Sequence, residues 1–106
     1  MKDNWVIDRE GRSPCVRIST IKQWYVFPWG HFIYAEGDFS GDQEEVIAEF
    51  ATHRVIFRGE GLWLLMDALQ YHSLLHVETS LRTDKFERPS GQPLILEIEV
   101  KALEQN

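Results

Sequence analysis

The sequence predicts an α+β domain, mainly antiparallel, in which a curled sheet or small barrel of about six to seven strands carries one amphipathic helix, residues 62–72, between late strands. Three observations predict this class. Several short segments alternate apolar and polar residues with the period of a strand. One segment has its apolar residues at helical spacing. Turns that contain glycine or proline separate these segments, and no shift in composition marks a boundary, so residues 1–106 are expected to form a single domain.

The N-terminal part is expected to consist of strands joined by turns. Residues 5–7 and 16–21 have the apolar pattern of short or half-buried strands. Further along, Phe27-Pro28-Trp29-Gly30 carries proline and glycine at the positions that a type I turn favours. We therefore expect an aromatic hairpin with arms near 21–27 and 31–36.

The central segment predicts another hairpin. The apolar residues before position 51 share one strand parity and those after position 53 share the other. A single straight strand would turn half of them toward solvent, so a turn or a bulge must interrupt it near residues 51–53. A tight hairpin is favoured over a bulge.

Residues 62–72 form the predicted helix. Its core-facing residues recur at i, i+3, i+4 and i+7 and are Leu62, Leu65, Met66 and Leu69. Three bulky residues, Trp63, Leu64 and Tyr71, fall outside this arc. Either another segment of the chain covers them or they form a surface for self-association.

The C-terminal part predicts two strands and a long loop. Leu75, Val77, Thr79 and Leu81 alternate with polar residues, and residues 83–93 form a polar loop that carries Phe86 at a basic and aromatic tip. The last strand has the clearest alternation, with one apolar face formed by Leu94, Leu96, Ile98 and Val100.

Charge and composition disfavour several classes of function. The net charge of −6 repels phosphate, and the basic residues form no stripe, so we expect no nucleic-acid partner. The longest apolar run, residues 62–66, is far shorter than the ~20 residues that span a bilayer, so we expect no membrane partner. The N-terminus has no signal-peptide pattern and Cys15 is the sole cysteine, which together favour a cytoplasmic protein.

No motif predicts catalysis. His72 and His76 have the i, i+4 spacing of a helical metal pair, but residues 73–75 are expected to leave the helix, and no third ligand lies nearby in the sequence. No serine lies in a nucleophile elbow. We therefore expect neither a metal nor a cofactor, and a protein that is not an enzyme.

An aromatic surplus supplies the functional hypothesis. Residues 24–34 contain six of the 13 aromatic residues of the chain. We expect a protein-interaction or self-associating module, a homodimer included, and the alternative is a small-molecule binder or minor enzyme with a pocket under the hairpin 24–34. The candidate ligand or partner surface comprises Trp24, Trp29, His31, Tyr34, Arg54, Arg58, Trp63, Tyr71 and Phe86.

Overall fold

A computed structural model describes residues 5–8, 10–11, 13–79 and 91–104, and these contain eight strands and one α-helix. The strands are β1 (Trp5–Ile7), β2 (Cys15–Ser19), β3 (Trp24–Pro28), β4 (Phe32–Asp38), β5 (Glu44–Phe50), β6 (His53–Glu60), β7 (Leu74–Glu78) and β8 (Leu94–Ala102). The helix α1 (Trp63–Gln70) lies between β6 and β7, and a 3₁₀ turn (Trp29–His31) joins β3 to β4.

The strands form two sheets. Sheet A has the order β1-β7-β2-β3 and sheet B has the order β4-β5-β6-β8. Neighbouring strands are antiparallel except for β2 and β7, which run parallel. The predicted α+β class, the mainly antiparallel pairing and the helix between late strands are confirmed. The described strands, however, divide into two four-stranded sheets and do not close into a barrel.

The core lies between the inner faces of the two sheets. Sheet A contributes Val16, Ile18 and Phe27, while β5 and β6 of sheet B contribute a row of aliphatic and aromatic residues that are fully buried. The rings of Phe27 and Phe50 stack across this interface at 4.4 Å between centroids. Burying this apolar area is the main stabilising contribution, at about 25 cal/mol per Å².

The predicted aromatic hairpin is wrong. β3 pairs with β2 in sheet A, whereas β4 pairs with β5 in sheet B, so Phe27-Pro28-Trp29-Gly30 carries the chain from one sheet to the other. Trp29 is 7% exposed, and its ring stacks on His72 at 4.6 Å between centroids. A hairpin would leave this indole at an exposed tip, and its large apolar area favours the buried arrangement.

The second predicted hairpin is confirmed. β5 and β6 pair from Glu44↔Gly59 to Glu49↔Arg54, with a tight turn between them. Because the chain reverses at this turn, the even-numbered apolar residues of β5 and the odd-numbered apolar residues of β6 face the same core.

The apolar face of β8 differs from the predicted one. The register with β6 shifts between Arg58↔Glu97 and Gly59↔Ile95, so Leu96 is an extra residue in β8. Ile95 is therefore fully buried and Leu96 only half-buried. A Cβ at Gly59 would collide with the carbonyl oxygen of Leu94, which explains the glycine at this bulge.

The face predicted for residues 75–81 is also wrong where the structure describes it. β7 begins at Leu74, and an irregularity opposite β1 buries Leu74 with Val77 and leaves Leu75 half-buried. Leu81 and Phe86 lie outside the described residues, as does most of the predicted loop 83–93.

The helix begins and ends with contacts that the sequence did not predict. The carboxylate of Glu44 on β5 accepts a hydrogen bond of 2.8 Å from the N–H of Leu62, in the place of a side-chain cap from the helix itself. At the other end, His72 adopts φ 52° and Ser73 N–H donates to Ala68 O at 3.0 Å, which is a Schellman motif with histidine where glycine is usual. Within the described residues, the structure has no helix of the length and apolarity needed to cross a membrane.

Candidate functional site

A groove of about 420 Å³ separates the helix α1 from the strand β4. The side chains of seven described residues line it: Phe32, Ala35, Trp63, Met66, Asp67, Leu69 and Gln70. Phe32 and Ala35 belong to the inner face of sheet B, because they lie opposite Phe50 and Ala48 on β5. The groove is therefore a continuation of the core that opens between a helix and the edge of a sheet.

Trp63 forms an exposed aromatic wall of this groove. It lies in the first turn of α1, and 60% of its surface is accessible to solvent. Met66 and Leu69 follow one and two turns later and are half-buried and buried, respectively. A large exposed indole beside a partly filled apolar groove is a common anchor in protein interfaces.

Carboxylates lie both in the groove and on the outer face of the strand β4 beside it. None of the seven described lining residues is basic, and Asp67 is the one ionised side chain among them. Glu36 and Asp38 add two more carboxylates on the outer face of β4. Hydrogen bonds from the N–H and hydroxyl of Ser40 lower the pKa of Asp38, which keeps this carboxylate charged.

The strand that borders the groove lies at the edge of its sheet. β4 pairs with β5 on one side, and among the described strands no other pairs with it. A sheet edge presents backbone N–H and C=O groups that can bond to an added strand. On such a strand, the side chains opposite Phe32 and Ala35 would point into the groove, because directly opposite residues share a face.

The other predicted aromatic residues lie on separate surfaces. Tyr71 is 65% exposed but lines a different depression, between α1 and β1. Trp24 is exposed on the outer face of sheet A, under the guanidinium of Arg17, which lies 4.5 Å from the ring centroid. Trp29 is buried in the core, so it is unavailable to a partner in this structure.

His31 and Tyr34 complete the predicted aromatic segment. His31 is exposed in the 3₁₀ turn, and its carbonyl accepts a hydrogen bond from Ala51 N–H at 2.7 Å. Tyr34 lies on the outer face of sheet B, opposite Glu49. The described residues of the predicted surface are thus divided between both sheets and the helix, and among them only Trp63 lines the groove.

Arg54 and Arg58 form a network of salt bridges on the outer face of sheet B. Arg54 pairs with Glu49 at 2.8 Å, while Arg58 pairs with Glu45 at 3.0 Å and with Glu97 at 2.8 Å. The hydrogen bond that Arg54 donates to Glu49 contributes most to raising the pKa of Arg54, and the one that Arg58 donates to Glu97 contributes most to raising the pKa of Arg58. The pairs with Glu45 and Glu49 join directly opposite residues of β5 and β6, and the contacts of Arg58 with Glu97 and Glu99 extend the pairing to β8.

Sequence reasoning missed a polar cluster on the outer face of sheet A. Arg17 Nη2 lies 3.2 Å from His76 Nδ1, and His76 Nε2 lies 2.9 Å from the hydroxyl of Ser19. The parallel pairing Arg17↔His76 brings these residues together, and a parallel neighbour is not visible in local periodicity.

The hydrogen bonds of this cluster run in the opposite direction to those of a catalytic serine site. An arginine side chain only donates hydrogen bonds, so His76 accepts at Nδ1 and its Nε2 proton points to Ser19. A catalytic imidazole must instead accept the proton of the hydroxyl. The contacts of this cluster therefore order the sheet and do not activate Ser19.

In the described part of the chain, no group of three or more His, Cys, Asp or Glu residues could hold a metal ion. His72 stacks on Trp29, whereas His76 bonds to Arg17 and Ser19 on sheet A, so the two histidines of the i, i+4 pair have different surroundings.

Comparisons with family models, with curated proteins and with solved structures find no match to this chain.

Proposed function

We propose that this protein is a non-enzymatic interaction module that binds an extended segment of a partner protein in the groove between α1 and β4. The observation that carries the proposal is the coincidence of an edge strand, an apolar groove beside it and an exposed tryptophan at its wall. Strand addition uses these parts together, since the edge supplies hydrogen bonds and the groove receives alternate side chains.

The partner segment is expected to be extended, apolar at alternate positions and basic between them. Apolar side chains on its inner face would contact Phe32, Met66 and Trp63. Lysine or arginine on its outer face would approach Glu36 and Asp38, while basic residues nearer the helix would approach Asp67. The net charge of −6 would attract such a segment from a distance. We also propose a cytoplasmic location, because a single cysteine suits a reducing compartment.

The proposal is tested with a peptide library. A phage-displayed library of random dodecapeptides is panned on the immobilised full chain, and enriched peptides are synthesised and titrated by isothermal calorimetry. We expect basic, alternating sequences, and Trp63→Ala is expected to weaken their binding about tenfold or more, because buried tryptophans are frequent hot spots. The variant should fold normally, since surface substitutions usually change stability by less than about 0.5 kcal/mol.

Tyr71→Ala is the matched control. Tyr71 is an aromatic residue of similar exposure, directly after the same helix, but it does not line the groove. We expect its affinity for the peptides to stay within about twofold of the parent. The proposal fails if no peptide is enriched, or if both variants weaken binding equally. A small apolar ligand that binds the groove while no peptide does would support the alternative function.

A further inference from the structure

The strand β3 is an edge strand without the usual protection. Natural edges carry charges, are short or are covered, because an unpaired edge attracts other strands. β1 has only three residues, β4 carries Glu36 and Asp38, and β8 carries Glu97, Glu99 and a bulge. β3, by contrast, reads Trp-Tyr-Val-Phe-Pro without an ionised side chain, and among the described strands it pairs with β2 alone.

The hydrogen bonds between β3 and β2 determine which backbone groups of β3 point to its free edge. Thr20 N–H donates to Gln23 O at 2.8 Å, and Trp29 N–H donates to Pro14 O at 2.9 Å. Residues of an antiparallel strand bond alternately to one side and the other. The odd-numbered residues of β3 therefore bond to β2, while the N–H and C=O of Trp24 and Val26 point to the free edge.

We propose that a second copy of this chain pairs with this edge, antiparallel and centred on Tyr25. In this register Trp24 of each copy lies opposite Val26 of the other. The two exposed N–H groups and two exposed C=O groups of each strand then form four hydrogen bonds across a two-fold axis, and sheet A becomes one sheet of eight strands. Pro28 has no N–H, so a register that bonds Trp24 to Pro28 would lose a donor.

The outer face of β3 supports the same register. Trp24 is 70% and Val26 61% exposed, and both point to the outer face of sheet A. Pairing would place each indole against the other copy's valine. Aromatic and β-branched residues directly opposite each other stabilise a strand pair by roughly 0.2–1 kcal/mol.

Local charges do not repel a second copy at this edge, although the chain as a whole is acidic. β3 brings no carboxylate to the two-fold axis. The two copies of β2, which carry Arg17, would be three strand spacings apart, about 14 Å, beyond the screening length of about 8 Å. The carboxylates in the neighbouring cleft, Glu97 and Glu99, are paired with Arg58 and Lys101.

Light scattering of the full chain at rising concentration tests the association. We expect the mass to approach twice 12.4 kDa for the parent, because a small interface of this kind gives a weak dimer. Val26→Lys places a charge at the edge and should keep the chain monomeric. Ile33→Lys is the matched control, since Ile33 is 58% exposed but lies on β4, and it should dimerise like the parent.

The register is tested by disulfide trapping in a Cys15→Ser background. Tyr25→Cys would face itself in a non-hydrogen-bonded pair, where Cα atoms lie about 4.5 Å apart and a disulfide fits. Trp24→Cys is more exposed but would face Val26, so we expect oxidation to link Tyr25→Cys at least tenfold faster. Random collisions would give the reverse order.

Three results would overturn the inference: a parent that remains monomeric at roughly 500 µM, where a dimer with a Kd of about 100 µM would predominate, a Val26→Lys variant that still dimerises, or faster linkage through Trp24→Cys. If Tyr25→Cys does not fold, the masses of the Val26→Lys and Ile33→Lys variants decide whether the chain dimerises through β3. This inference does not depend on the groove, because peptide binding by the Val26→Lys monomer would leave the proposed function intact.

Discussion

His72 combines an unfavourable backbone conformation with favourable contacts of its side chain. Its φ of 52° lies in the left-handed region, which favours glycine and disfavours side chains that carry a Cβ. The position nevertheless keeps an imidazole, whose ring stacks on Trp29 at 4.6 Å and contacts Phe32 edge to face. The side chain thus links the end of α1 to the turn between the two sheets, and this stacking offsets the conformational cost.

Two substitutions of His72 separate these contributions. His72→Gly and His72→Ala both remove the stacking, but only alanine retains the left-handed penalty. We expect His72→Ala to be less stable than His72→Gly by about 1 kcal/mol, or roughly 4–8 °C in melting temperature for a domain of this size. Thermal denaturation followed by circular dichroism measures the difference. Equal melting temperatures would show that residue 72 is not held in this conformation.

Among the elements, β8 shows where local periodicity misleads. Leu94, Leu96, Ile98 and Val100 alternate without interruption, yet the bulge opposite Gly59 moves Ile95 into the core and Leu96 out of it. Alternation along the sequence predicts which residues share a face only if the strand is regular. A bulge changes the faces, and it depends on the partner strand and on a close approach of the two backbones. The helix α1 was predictable because its pattern is local. Leu62, Leu65 and Leu69 are buried as predicted, whereas Met66, the fourth residue of the predicted core face, is half-buried at the groove.

Alanine substitutions on β8 test the bulge. Ile95→Ala should destabilise the fold by about 2–5 kcal/mol, because it leaves a cavity beside fully buried neighbours. Leu96→Ala should cost about 1 kcal/mol or less, since this side chain is half-buried near the surface. Urea denaturation compares the two. If Leu96→Ala were the more damaging substitution, β8 would follow the uninterrupted alternation and the bulge would be wrong.

At the scale of the whole molecule, the sequence predicted the class of fold better than its topology. The α+β class, the single domain and the tight turn after Phe50 follow from local patterns, and the structure confirms the class and the turn. The division into two sheets depends on where Trp29 is buried and on the parallel pairing of β2 with β7. These are long-range contacts, and no local signal encodes them.

The candidate site was only partly accessible from the sequence. The helical wheel placed Trp63, Leu64 and Tyr71 outside the core. Trp63 and Tyr71 are exposed, whereas Leu64 is half-buried and packs against the core. The wheel could not reveal that Trp63 faces a groove beside β4 while Tyr71 lies toward β1, because that depends on how the helix packs on sheet B. The polar cluster of Arg17, His76 and Ser19 was hidden for the same reason.

The most direct measurement of the central claim is a nuclear magnetic resonance titration of the ¹⁵N-labelled chain with the best peptide from the library. The account predicts that the largest amide shifts fall in Phe32–Asp38 and Trp63–Gln70, with nuclear Overhauser contacts between the peptide backbone and β4. Shifts concentrated on β3 or β8, or binding that leaves the amides of β4 unchanged, would contradict strand addition at this groove.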